Sequence, residues 1–378
     1  MKGEDSNKFC AFCNAELKGA SRSKEHIIPN SIGGWLKTSD FICIECNSTR
    51  GDSWDSELAE QLNWFSLSLG ITRERGLPPG QLVNTVDGRQ YMLLPDGSFS
   101  PKSSYSEEFV DGKKRISMVA KSIAEAKKRL NGVARKHPAF DLDKALSELK
   151  IDTAYLDSPL TVELSLGGGK AGRSLVKTAL AFASHCGIPH SQFGRAIAYL
   201  LDMNAEPPYG HAYLSDLVID RNKETIFHCV SLKSDPDKSR LWSYIEYFGL
   251  FRVIILINDN YTGPEIDEIY ALDPITGEET HVAVNSNIAD EEFFKVIDGF
   301  GVDHAIHKAA ADFALPIIIK RSEQRALDSA VRAGFVYAAE TLGIPEGSDI
   351  PLEKAEQFTI LMMEKISPYI SHRIRGNR

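Results

Sequence analysis

The chain has 378 residues, 43% of them hydrophobic and 25% charged. That is a globular composition at a length that calls for two or three domains. A formal net charge of −9 excludes a uniformly basic nucleic-acid coat. The longest apolar runs, near residues 253–257 and 315–319, are too short to span a bilayer. No apolar leader with a cleavage site opens the chain, so a cytoplasmic protein with no membrane partner is expected.

Residues 1–70 read as a compact head. Four of the six cysteines lie here, as Cys10-x-x-Cys13 and Cys43-x-x-Cys46. Two such knuckles roughly thirty residues apart suit one tetrahedral Zn²⁺, each offering two thiolates from a tight turn. In a cytoplasmic chain they are expected to bind metal rather than form disulfides. The remaining Cys186 and Cys229 sit in apolar contexts and read as packed thiols. Between and after the knuckles run Lys24-Glu25-His26-Ile27-Ile28-Pro29, Gly33-Gly34, then Asn47 directly after Cys46, Gly51 and Asp55. Residues 53–67 read as a helix.

Residues 71–150 open on Gly76-Leu77-Pro78-Pro79-Gly80, a cluster of chain breakers. Tyr91 to Leu94 reads as a strand running into a turn at Pro95-Asp96-Gly97. Residues 115–137 show helical spacing of Ile116, Val119, Ile123, Leu130 and Val133, ended by Pro138. Residues 112–150 hold 11 Lys and Arg against 4 Asp and Glu. This basic face suits either sequence-independent contact with a phosphate backbone or plain solvation.

Residues 151–378 read as mixed α and β, with 21 Lys and Arg against 32 Asp and Glu. Strands are expected at 160–166, 212–219, 225–232, 251–257 and 268–272. Helices are expected at 174–186, 322–342 and 352–369. Gly167-Gly168-Gly169-Lys170 lacks the Ser or Thr that a phosphate-binding P-loop needs after its lysine. It reads as a flexible loop, or as an anion site with Arg173 and Lys177.

The Glu25-His26-Ile27-Ile28-Pro29 run and the Cys43-x-x-Cys46-Asn47 run together resemble the zinc-containing branch of the HNH endonuclease superfamily, over about residues 8–60. The resemblance implies an α+β architecture: an N-terminal ββα-metal (HNH) module with zinc knuckles, followed by a mixed α/β C-terminal domain. It implies His26 as general base, Glu25 as a ligand of Mg²⁺ or Mn²⁺, and Asn47 as the residue that orients the base. Asp55, or failing it Asp52, completes the metal site. An acidic residue there departs from the literal H-N-H. The plainer alternatives are a structural His26 and an Asp55 that serves the helix dipole. Arg50 and Lys24 are candidates to clamp the scissile phosphate, or are simply solvated.

A small HNH module joined to a large second domain also resembles bacterial defence nucleases. By that analogy residues 1–70 are the nuclease, 71–150 a linker region with a basic helix, and 151–378 a sensor or targeting domain controlling cleavage. The partners implied are DNA, a nucleotide second messenger and further copies of the chain in a homo-oligomer. The competing reading is a zinc-stabilised DNA-binding protein without nuclease activity.

Overall fold

The computed structural model describes residues 8–150, 155–285 and 287–376. Their contacts group the chain into two compact units. The first contains residues 1–78 and 164–322, the second residues 79–163 and 323–378.

The first unit begins with a short ribbon in which Glu25–His26 pairs antiparallel with Lys37–Thr38. After it the chain winds through Ile44–Cys46 and a wide π-turn at Asn47–Gly51 into the helix Asp52–Gln61. A second helix, Asn63–Leu69, is closed by Gly70 at φ 71°, where a left-handed residue ends it cleanly. The break at Leu62 divides the single helix expected over 53–67.

The rest of this unit is built on an antiparallel sheet of five strands. In spatial order they are Asp267–Leu272, His228–Asp235, Arg240–Tyr247, Phe251–Asn258 and Tyr209–His211. The central strands are buried on both faces, and their side chains alternate between two cores. Val230, Leu232, Ile245, Val253 and Ile255 face one core. Cys229, Trp242, Tyr244, Ile254 and Leu256 face the other, with Phe293 and Val296. The strand Arg240–Tyr247 itself contains the polar residues Arg240, Ser243 and Glu246 and was not anticipated. Of 212–219 only Val218–Ile219 is strand, paired with Ala283–Val284, and of 160–166 only Leu160–Thr161.

The helix Gly169–His185 lies against the first core. All residues from Ala171 to Ser184 are buried, because the same core also takes Ile27, Ile28, Ile32, Phe41, Leu58, Leu62 and Phe65 from the N-terminal segment. Among the described residues the head therefore has no separate core. It shares one with the helix and the sheet.

His228 is one of the joints. It is fully buried; its Nδ1 accepts the Phe248 N–H at 2.9 Å and its Nε2–H donates to the Ile32 carbonyl at 2.8 Å. Burial pulls its pKa down to about 4, against the opposing Ile32 and Phe227 backbone contacts. A lowered folded pKa means that the unfolded chain binds the proton first. Stability is then fully present above pH 6.5 and is lost as pH falls toward 4. At roughly 1.4 kcal/mol per pKa unit, the loss approaches about 3 kcal/mol. Urea unfolding from pH 7 to pH 4 is expected to show that extra acid loss in the native chain and not in His228→Gln. Equal acid slopes in the two proteins would contradict the assignment.

In the second unit Phe99–Pro101, Gln90–Leu93, Gln81–Thr85 and Leu160–Thr161 form a small antiparallel sheet. The helix Ala355–Gly376 supplies Phe358, which packs on Phe335 with ring centroids 5.0 Å apart. The helix expected over 115–137 is in fact a strand followed by a shorter helix. Lys113–Val119 pairs with Ser104–Val110 as a hairpin, and the helix is Ile123–Lys136. Its start is set by Ser122, whose side chain accepts the Glu125 N–H. Ile116 and Val119 fit a strand as well as a helix face, and pairing with the neighbouring strand decides between them.

Candidate active site and metal centre

The four head cysteines meet. Their sulfurs all lie within 4.8 Å of one another, and those of Cys13 and Cys43 are 3.7 Å apart. A zinc ion holding four thiolates at about 2.3 Å sets neighbouring sulfurs about 3.8 Å apart, so the cluster has the size zinc requires. Backbone N–H groups support the thiolates: Phe12 and Cys43 donate to Cys10 Sγ, and Cys46 to Cys43 Sγ, at 3.3–3.4 Å. Burial and the three neighbouring sulfurs push the Cys46 thiol up. A cation is what allows all four to ionise together.

Next to this cluster, the ribbon and the helix Asp52–Gln61 carry the residues singled out in the sequence. Glu25 is buried, at 4% exposure, and its Oε1 contacts the ammonium of Lys177. Asp55, in the first turn of the helix, accepts from Lys177 Nζ at 2.6 Å through Oδ2 and from Ser174 Oγ at 2.5 Å through Oδ1. The two carboxylates thus converge on one point. Asp52 is exposed and has no part in this contact.

His26 follows Glu25 on the ribbon, with a half-buried side chain. Its Nε2 is 3.4 Å from Glu74 Oε1, too poorly aligned for a hydrogen bond. Glu74 itself pairs with Lys37 at 2.6 Å. Burial, reinforced by Lys37 and opposed by Glu74, holds the His26 imidazole below its ordinary 6.5, which keeps it neutral near pH 7. Asn47 donates from Nδ2 to Ser23 Oγ at 3.1 Å, while its buried Oδ1 has no partner among the described residues. Arg50 and Lys24 are exposed.

Three residues were not assigned to this site from the sequence: Gly51, Ser174 and Lys177. Gly51 gives Asn47 room: a Cβ there would lie 2.2 Å from Asn47 Oδ1 and 3.5 Å from Lys177 Nζ. Its spacing four residues after Asn47 was the available signal. Ser174 and Lys177, a turn apart on the helix Gly169–His185, carried no signal that tied them to Glu25 and Asp55.

Arg173 and Lys177 do not form an anion site with the glycine loop. Arg173 donates to the Gly169 and Asp202 carbonyls, and its guanidinium lies 4.3 Å from the ring centre of Tyr199. The loop's amides are also engaged: Gly167 N–H donates to Gln61 Oε1 and Gly168 N–H to the Tyr209 hydroxyl.

Comparison with known proteins bears on this part of the chain alone. Residues 10–63 match the family model for HNH endonucleases. The matched segment spans all four cysteines, Glu25, His26, Asn47 and Asp55. An HNH-type segment with a cysteine cluster able to hold a metal such as zinc supports a nuclease acting on nucleic acid. No curated protein and no solved structure matches the chain. Among the described residues no helix is long and apolar enough to cross a membrane.

Proposed function

We propose that this protein is a metal-dependent endonuclease that hydrolyses DNA phosphodiester bonds at the Glu25–His26–Asn47–Asp55 site, with a structural zinc on Cys10, Cys13, Cys43 and Cys46. The observation that carries the reading is the convergence of Glu25 and Asp55, with a neutral histidine following Glu25 on the ribbon, inside the segment that matches HNH endonucleases.

Each residue type has a chemical task. The neutral His26 imidazole takes a proton from the attacking water. Asn47, tied to Ser23 through Nδ2, offers a fixed carbonyl oxygen that can orient the base. Glu25 and Asp55 are a hard-oxygen pair of the kind that holds Mg²⁺ or Mn²⁺. Such an ion, when bound, supplies charge neutralisation on the phosphate and the leaving oxygen. In the structure the cation between the two carboxylates is the Lys177 ammonium. Arg50 and Lys24, exposed near this site in sequence, are free to meet the DNA backbone. A role in antiviral defence, with cleavage controlled by the C-terminal part of the chain, extends this reading.

The test is direct. Zinc-replete protein with millimolar Mg²⁺ or Mn²⁺ is expected to nick a supercoiled plasmid, and EDTA is expected to stop it. DNA left intact by folded, zinc-replete protein across both metals would argue for a binding protein instead.

A further inference from the structure

Lys177 is the one charged residue in a helical stretch that reads Leu175-Val176-Lys177-Thr178-Ala179-Leu180-Ala181-Phe182. Its side chain is only 2% exposed. An ammonium in such surroundings costs several kcal/mol unless it is paired and hydrogen-bonded. Its partners are Glu25 and Asp55, 152 and 122 residues away in the chain. Both contacts are direct, so the lysine and the two carboxylates hold one another in place.

The helix around Lys177 is held on several sides. Ser174 donates to Asp55, Thr178 lies 3.2 Å from the Tyr247 hydroxyl, and Ser184 donates to the Asp40 carbonyl at 2.5 Å. The Lys177 position is thus set by packing, not by chance placement of a surface side chain.

A carboxylate oxygen binds Mg²⁺ at about 2.0–2.1 Å. The Lys177 nitrogen stands 2.6 Å from Asp55 Oδ2 and also contacts Glu25. An ion bridging the same two oxygens would need nearly the same point in space, and ammonium and metal cannot share it.

We propose that Lys177 is a tethered cation that keeps the Glu25–Asp55 pair closed to divalent metal, so that metal enters only when the Lys177 side chain withdraws. The inference rests on Glu25 and Asp55 as the cation-binding pair of the proposed nuclease. A tethered competitor acts at high effective concentration, so it lowers apparent metal affinity without any change in the carboxylates.

The experiment measures Mn²⁺ binding by electron paramagnetic resonance on the full chain, without DNA, so that its outcome is independent of cleavage. The native protein is expected to show no tight Mn²⁺ site that depends on Asp55. Lys177→Met is expected to gain one, with affinity higher by roughly tenfold or more, and the added Asp55→Asn substitution is expected to abolish the gain. Lys177→Gln, which keeps a hydrogen-bond donor but no charge, is expected to behave as Lys177→Met does. It serves if the methionine variant fails to fold, as judged by zinc content. A tight, Asp55-dependent Mn²⁺ site in the native protein would overturn the proposal, as would folded lysine variants with unchanged affinity. Loss of the nuclease reading, by contrast, would appear as plasmid left intact by the folded, zinc-replete native protein and would leave the Mn²⁺ results untouched.

Discussion

Serine in place of Cys43 is expected to strip the zinc and to destabilise the N-terminal segment strongly. Cys43 is 6% exposed. Its sulfur lies 3.7 Å from that of Cys13 and accepts the Cys46 N–H, and its backbone bridges to Arg22. Removing one thiolate from a four-sulfur site leaves three crowded sulfurs without the charge that balances them. Structural zinc contributes on the order of 10 kcal/mol to small metal-stapled folds. Much of that is at stake here, because the ribbon has only two residues per strand. The shared core limits the damage: Phe41, Ile42 and Leu58 still have the helix Gly169–His185 and the sheet to pack against. The expected outcome is loss of the bound zinc, a much lower unfolding temperature and new protease cuts between residues 8 and 46, with the five-stranded sheet retained. Elemental analysis and limited proteolysis read these directly. A variant that keeps its zinc and its protease resistance would remove the cluster from the account.

Alanine in place of His26 is expected to lower the cleavage rate by roughly 10²- to 10⁴-fold, the usual contribution of a general base, while leaving the fold alone. The structural reason for the second half is specific. Among the described residues His26 Nε2 has no hydrogen-bond partner, and its neighbour Glu74 already has Lys37 at 2.6 Å. Truncation therefore leaves no buried partner stranded. Zinc content and thermal unfolding of His26→Ala are expected to match the native chain, with plasmid nicking reduced to near background. Matching stability with undiminished nicking would assign His26 a structural role and move the base elsewhere.

The head was legible in the sequence because its logic is local. Cys10, Cys13, Cys43 and Cys46 announce a metal through their spacing. Glu25-His26 and Cys46-Asn47 sit in short runs whose order can be read without a fold. Asp55 was preferred to Asp52 on helical position, and in the structure Asp55 is the one that meets the partner of Glu25. Lys177 was not legible, because its pairing spans more than a hundred residues and leaves no periodic trace. Its place near a glycine loop suggested an anion instead. The hairpin Ser104–Val110 with Lys113–Val119 was hidden because the run Lys113-Lys114-Arg115-Ile116-Ser117-Met118-Val119 suits either element. The strand Arg240–Tyr247 was hidden because both its faces are buried, so the alternation of apolar and polar residues that marks a half-exposed strand is missing. The intimate packing of the head on the helix Gly169–His185 could not be read from the N-terminal sequence either. Ile27, Ile28, Phe41 and Leu58 show that a core exists, and say nothing of the residues that complete it.

The central claim is that water activated at His26 hydrolyses the phosphodiester bond, and cleavage in ¹⁸O-labelled water tests it most directly. The zinc-replete protein, with Mn²⁺ and a plasmid substrate, is expected to place one labelled oxygen on each newly formed phosphate end, and His26→Ala is expected to form almost no such ends. Cleavage that yields unlabelled ends, or labelled ends formed equally fast without His26, would contradict the account.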